Sequence, residues 1–226
     1  MKKTNEVAIV CGRFSLTTPL EELVRQYLID EFLEEWQPRY NIAPTQKVLS
    51  LISHKGKRRA GEITWGLVPH WADRKKWKPL INARSETLLE KPSFNSLVHS
   101  KRMVIFSDGF YEWKKEKDQK VPVRFQLKEE EPFVFAGLWD RNGEFTTSTI
   151  LTTGANAIVQ PVHERMPVIL TSQEAVEKWV NTDDYSFEEA SSVLTPLQKD
   201  QMKGYQVSDI VNSSKHDSPE CIVPVS

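Results

Sequence analysis

Five short runs constrain the fold more than anything else in the chain: KVLSLIS (47–53), RMVIFS (102–107), VRFQL (123–127), FVFAGLW (133–139) and STILTT (148–153). Each is rich in β-branched or aromatic residues and bounded by polar or Gly/Pro turns, the mark of a strand. They do not alternate regularly with helical segments. The pattern therefore predicts an α+β fold, a mainly antiparallel, barrel-like sheet with flanking helices, rather than a doubly wound α/β fold. Three helices are expected. In TTPLEELVRQYLIDEFLEEW (17–36), Thr18 can cap, Pro19 suits the first turn and Glu21 completes a capping box, while Leu20, Leu23, Val24, Tyr27, Leu28 and Phe32 share a face. A second begins near Thr171 and carries Ala175, Val176 and Trp179, and a third covers Phe187 to Leu194.

A chain of 226 residues with 39% hydrophobic content can build one sizeable core, and neither linker nor repeat divides it, so one domain over 1–226 is expected. The start, MKKTNEVAIVCG, has the lysines of a signal peptide, but Asn5 and Glu6 leave only Val7 to Val10 as an apolar run. Val10 is too bulky for a lipoprotein cleavage site, and no run approaches the roughly 18 apolar residues of a membrane span. A cytoplasmic protein is expected. Cys11 and Cys221 are too few for a disulfide scaffold and lack zinc-site spacing, so free thiols and no metal or other cofactor are predicted.

Charge is balanced overall at −1 but not along the chain: residues 54–124 hold 17 Lys and Arg against 8 Asp and Glu. Four of the seven tryptophans, Trp65, Trp71, Trp77 and Trp113, lie in that stretch. Cations interleaved with aromatics suit a nucleic-acid partner; a solvated charged face over ordinary core tryptophans is the competing reading.

Four polar stretches carry candidate chemistry: CGRF (11–14), INARSET (81–87), SDGFYEWKK (107–115) and QPVHERMP (160–167). The thiolate of Cys11 would be the strongest nucleophile available, and on an extended segment Arg13 would share its face; an inert, buried cysteine is the alternative. Glu112, between two aromatics, is exposed to desolvation that would raise its pKa into the range of a working acid/base, unless it sits at a strand end paired with Lys114 or Lys115. His163 is flanked by prolines that hold the backbone extended and display the imidazole, although a plain turn residue would look the same. Asn82 and Arg84 alternate on a short strand and can face one site, with Arg84 suited to phosphate.

Taken in order, CGRF, RYNIAPTQ (39–46), WGLVPHWA (65–72), INARSET, FSDGFYEW (106–113), FAGLWD (135–140), VHERMPVIL (162–170) and DSPECIVPV (217–225) resemble the blocks of the SOS-response-associated peptidase family, whose members are also called abasic-site processing proteins. The resemblance implies a mixed fold around a β-barrel with a basic groove for single-stranded DNA at an abasic site. It also implies a monomer that reaches the nucleoid through its DNA and needs no cofactor. In that family an amino-terminal cysteine traps the sugar aldehyde as a thiazolidine through its amine and thiol. Carried over by position, Cys11 is the nucleophile, Asn82 orients cysteine and sugar, Glu112 is the acid/base beside the amine, and His163 donates a proton that helps open the sugar ring. Arg13, Arg84 and Arg165 would hold phosphates, Pro44 and Trp71 would pack on nucleotides beside the lesion, and Thr152 would also touch DNA.

One feature departs from the pattern. Ten residues precede Cys11, so its nitrogen is an amide bonded to Val10 and cannot form an imine. Three ways out stay open: initiation at residue 10 through a GUG codon read as methionine and then removed, self-cleavage after Val10, or binding of damaged DNA without a stable adduct. The favoured function is covalent crosslinking at abasic sites, with lyase and self-processing activity; a cysteine peptidase using a Cys11–His163 dyad and a non-covalent single-strand binding module are the alternatives.

Overall fold

The structure, a computed structural model, describes residues 11–32, 36–117 and 119–225. In chain order the elements are β1 (Phe14–Leu16), α1 (Leu20–Tyr27), β2 (Glu31–Phe32), β3 (Arg39–Ile42), β4 (Lys47–His54), β5 (Lys57–Trp65), β6 (Asn82–Arg84), β7 (Arg102–Ser107), β8 (Gly109–Glu116), β9 (Gln119–Leu127), β10 (Phe133–Asn142), β11 (Phe145–Gly154), β12 (Arg165–Pro167), β13 (Ile169–Leu170), α2 (Gln173–Val180), α3 (Phe187–Ala190) and β14 (Met202–Gln206). All five strands read from the sequence are present, and each lies within an observed strand.

They assemble into two sheets. The smaller is antiparallel throughout, in the order β14-β9-β8-β1-β3. The larger runs β12-β11-β10-β7-β4-β5-β2, with β13 beside β10 and β6 beside β11. A short parallel pairing of Thr64 with Thr147 and Trp65 with Ser148 joins β5 back to β11, so β11, β10, β7, β4 and β5 form a ring. Closure rests on those two residue pairs, which makes the sheet barrel-like rather than a complete barrel. Pairings are mainly antiparallel, as expected; β2–β5, β6–β11 and β5–β11 are the parallel exceptions among the described residues. The core fills the interior with Phe14, Trp65, Phe106, Phe110, Phe133 and Phe135, several packed edge to face at centroid distances near those favoured by ring quadrupoles, such as 5.5 Å for Phe14–Phe135.

The first helix is much shorter than the sequence suggests. α1 has eight residues, starts after Pro19 without a side-chain cap, and ends where Leu28 turns left-handed at φ 51°. The capping box expected from Thr18 does not form; the preceding Thr17 gives its main-chain N–H and hydroxyl to the Asp108 carboxylate. Beyond the helix, Asp30 and Arg58 exchange hydrogen bonds, and Glu31 and Phe32 pair with Arg59 and Ala60 as a strand. The open edge of β5 outcompetes the weak propensity of one more helical turn. Leu28, assigned to the buried face, is 63% exposed, and residues 33–35 of the expected helix lie outside the described residues. The other two helices match: Ser172 caps α2, and Ser186 with Glu189 forms a capping box on α3 that runs on into a 3-10 turn at Ser191–Val193.

A buried ion pair ties β9 to the start of β8 within the smaller sheet. Arg124 lies 3.0 Å from Asp108, and both are almost fully buried. The same guanidinium donates to the Ser15 hydroxyl and the Asp108 carbonyl, and it bonds Gln126 on its own strand and the Tyr205 hydroxyl on β14. It lies so close to Gly109 that an added Cβ would stand 2.5 Å from its Cζ, which requires glycine there. Removing one partner of such a pair strands the other charge in the interior. Asp108→Ala is expected to lower unfolding free energy by about 3–5 kcal/mol, read as the shift of the urea unfolding midpoint; a loss under about 1 kcal/mol would mean the pair contributes no more than a surface bridge.

Candidate functional site

Cys11, the first described residue, has a φ of 44° that puts it in the left-handed region. This bend breaks the strand alternation expected for CGRF and separates Cys11 from Arg13. Cys11 is fully buried in the main core, whereas Arg13 reaches the other way: its guanidinium donates to Asn41 Oδ1 (2.8 Å) and the Val211 carbonyl (2.5 Å) and lies over Trp113. Arg13 thus ties β1 to β3 and to the carboxy-terminal segment. No guanidinium shares the thiol's face in the way an extended segment would have placed it.

Glu112, on β8, meets Cys11 instead. The Cys11 main-chain nitrogen donates to Glu112 Oε1 at 2.6 Å, a short contact. Glu112 is 3% exposed, and burial pushes its pKa up to about 8, offset in part by the bond from Cys11. The desolvation expected from its aromatic neighbours is present, and the alternative partners Lys114 and Lys115 lie further along the strand toward solvent. Burial, and then the charge of Glu112, raise the Cys11 thiol well above its ordinary value. In this state the sulfur is a thiol rather than a thiolate, and a neighbouring carboxyl group is held on the α-nitrogen.

The other polar candidates gather where β6, β11 and β12 meet. Asn82, Ala83 and Arg84 pair in parallel with Ile150, Leu151 and Thr152, while Gly154 pairs with Arg165 across the strand's other edge. Ala83 is buried between half-buried Asn82 and exposed Arg84, the alternation read from the sequence. Thr152 is buried, with its hydroxyl on the Ala83 carbonyl. His163 sits in a turn rather than on extended backbone, its N–H bonded to the Val159 carbonyl. Its Nδ1 lies 3.1 Å from the Arg165 main-chain N–H, from which it can accept, and 3.3 Å from the Arg165 carbonyl, to which it can donate, so Nδ1 is engaged by Arg165 in either tautomer. Among the described residues no hydrogen bond joins His163 to Cys11. The Trp65 indole connects the two groups of residues: its ring packs on Phe14 and its N–H donates to the Ile81 carbonyl, one residue from Asn82.

Arg165 is heavily committed to the protein. Its guanidinium donates to both Thr152 oxygens and makes a two-point contact with Glu86 at 3.1 and 2.8 Å. Burial works against the charge of Glu86, but the hydrogen bonds from Arg165 hold its pKa below the usual carboxylate range. Glu86 escaped the sequence reading, although its signal was there: it continues the every-second-residue spacing of Asn82 and Arg84 just past the strand end. Pro44 and Trp71 lie on loops near the β5 end, Pro44 half-buried and Trp71 52% exposed with its ring edge-on to Trp77.

The profile of the SOS response associated peptidase (SRAP) family matches residues 10–214. The chain belongs to that family. It is 43% identical to the abasic site processing protein YoqW of Bacillus subtilis over 94% of this chain and 99% of that one. With the abasic site processing protein YedK of Escherichia coli it shares 32% identity over 96% and 100% of the two chains. Among solved structures, a protein from Bacteroides thetaiotaomicron superposes with a TM-score of 0.80 at 26% identity, covering 96% of this chain and all of that one. The mixed, mostly sheet fold of SRAP members is thus the fold seen here.

Glu112 gives a stability signature. Its pKa in the folded chain, about 8, lies above the ordinary 4.5, so folding binds the proton more tightly. The contribution is fully present below about pH 4.5 and is lost as pH rises to about 8, at up to about 1.4 kcal/mol per pH unit. Glu112→Gln should flatten the denaturation midpoint across that window, whereas matching pH profiles for both proteins would show that Glu112 titrates normally.

Proposed function

We propose that this SRAP protein processes abasic sites in single-stranded DNA by trapping the ring-opened sugar with the amine and thiol of Cys11. The observation that carries the reading is the 2.6 Å contact between the Cys11 nitrogen and a buried carboxyl whose pKa is raised to about 8. An acid/base is already on the atom that must lose and gain protons, and near neutrality it can do both.

The chemistry follows from these groups. The Cys11 amine adds to the C1′ aldehyde and the carbinolamine loses water to give an imine, with Glu112 receiving a proton from nitrogen and returning one to the departing hydroxyl. The Cys11 thiol then adds across the C=N bond, sulfur to carbon and hydrogen to nitrogen, and a five-membered thiazolidine closes. Both nucleophiles belong to one residue, so ring closure is intramolecular and carries little entropic cost. No thiolate is required at rest, which agrees with a thiol raised by burial. His163 gives a proton to the sugar ring oxygen as the aldehyde opens, and Asn82 orients the sugar. The imine also acidifies the neighbouring C2′ proton, so some β-elimination and strand nicking accompanies crosslinking.

An amide nitrogen cannot perform the first step, so the Val10–Cys11 junction has to yield a free amine. Initiation at residue 10 followed by methionine removal does this, as does cleavage after Val10; the family match beginning at residue 10 supports the first. Arg84, exposed at the end of β6, holds a phosphate, with Trp71 and Pro44 against the flanking nucleotides. Arg13 and Arg165, occupied by protein partners, act by fixing the strands around the site.

Incubated with an abasic oligonucleotide, protein whose mature terminus is verified as Cys11 should give a heat-stable shifted band on a denaturing gel, and Cys11→Ala should give none. Absence of a band from the verified protein would leave a non-covalent binding module. Arg84→Ala should weaken single-strand binding and make the salt dependence shallower by about 0.7 in log–log slope, the value for one phosphate contact; an unchanged slope removes Arg84 from the DNA path.

A further inference from the structure

Nine exposed or half-buried residues, HWADRKKWK at 70–78, form a loop that the chemistry above does not use beyond Trp71. Arg74, Lys75, Lys76 and Lys78 are all exposed and only Asp73 opposes them within the loop. The nearest ion pair, Lys76 to Asp73 at 3.7 Å, joins two exposed side chains and is worth little. Ordinarily such a run is a solvated face. Here its backbone is fastened to the β10–β11 hairpin at several points. The Asp140 carboxylate, 5% exposed, accepts from both the His70 main-chain N–H (2.7 Å) and His70 Nδ1 (3.0 Å). Asn142 Nδ2 donates to the Pro69 and Ala72 carbonyls at 2.8 and 2.9 Å. Lys76 and Trp77 N–H groups close onto the Asp73 carbonyl, and the Arg74 guanidinium lies 3.2 Å over the Phe145 ring at the hairpin tip.

A pinned loop that keeps its lysines in solvent, alongside a Trp71 that is 52% exposed, commits a large apolar face and several like charges to the surface; Phe145, 51% exposed, has one face under the Arg74 guanidinium. Each part matches one part of a single strand. Flat aromatic faces take bases, cations take phosphates, and a backbone already fixed loses little entropy when the strand arrives.

We propose that loop 70–78 is a second DNA-contact surface, binding the phosphates of the unpaired strand that leads away from the nucleotide on Trp71. The inference rests on the abasic-site reading for the placement of Trp71 and extends it to a stretch of DNA outside the lesion. His70 belongs to the same surface: its Nδ1 is taken by Asp140, which leaves Nε2 for the strand.

The test is the triple variant Lys75→Gln, Lys76→Gln, Lys78→Gln in the full chain, with non-covalent binding to lesion-free single strands measured over a range of salt. A strand of about 20 nucleotides, longer than a typical single binding site, should bind the variant about tenfold more weakly, with a log–log salt slope shallower by about 2, three contacts at roughly 0.7 each. A strand of about 6 nucleotides should bind both proteins alike. The crosslink yield with saturating abasic DNA should equal that of the unaltered protein. An unchanged slope with the long strand overturns the proposal, as does an equal loss with both lengths or a loss seen only when the flank is double-stranded. Failure of the abasic-site reading would appear separately, as no crosslink from the unaltered protein.

Discussion

The rest of the structure depends on how the buried Asp108 carboxylate holds the first strand. Ser15 donates to one of its oxygens at 2.6 Å, the Thr17 N–H and hydroxyl to the other, and Arg124 neutralises it from the neighbouring strand. Three residues of β1 could not by themselves stay paired between β3 and β8; with this anchor they do, and Phe14 is set against Phe110 in register. That register carries Cys11 to Glu112. An interior ion pair adds little net stability, but its geometry is demanding, and here the demand falls on the segment that carries Cys11.

The same economy governs the positive charge of residues 54–124. Much of it serves the fold rather than a ligand. Arg58 bonds Glu177 and the Tyr27 carbonyl, Arg59 bonds Glu31, Arg102 is buried against the carbonyls of Asn181, Tyr185 and Ser186, and Arg124 pairs with Asp108. The tryptophans divide likewise: Trp65 is entirely buried, Trp113 and Trp77 are half-buried, and Trp71 stands out in solvent. A charged face over core tryptophans therefore describes much of this stretch. Of the exposed cations left over, Arg74, Lys75, Lys76 and Lys78 share their loop with the exposed Trp71, while Lys115, Lys117 and Lys120 stand at the β8–β9 hairpin.

Within the site, residues thought equivalent turn out to differ in freedom. Arg84 is exposed, whereas Arg165 spends its donors on Thr152 and Glu86 and Arg13 commits one terminal nitrogen to Asn41 and Val211. Three arginines in similar polar blocks look alike as letters because the letter records the charge, not what has already been bonded to it. Glu86 was passed over for the same reason, since its significance lies in a partner 79 positions away.

By itself the sequence determined the strands, the capped helices α2 and α3, the Asn82–Arg84 alternation and the desolvation of Glu112, because each is set by side chains within a few residues: β-branching, a capping serine, a period of two, aromatic neighbours. Tertiary structure alone decided where the first helix stops, since the edge of β5 captures Glu31 and Phe32. It also decided that Cys11 turns left-handed onto Glu112 and away from Arg13, and that the ring of strands closes through two residue pairs of β5 and β11. These are contacts between segments far apart in the chain, and no local preference encodes which of several competing partners a backbone group or a charge will find once the core has formed around it.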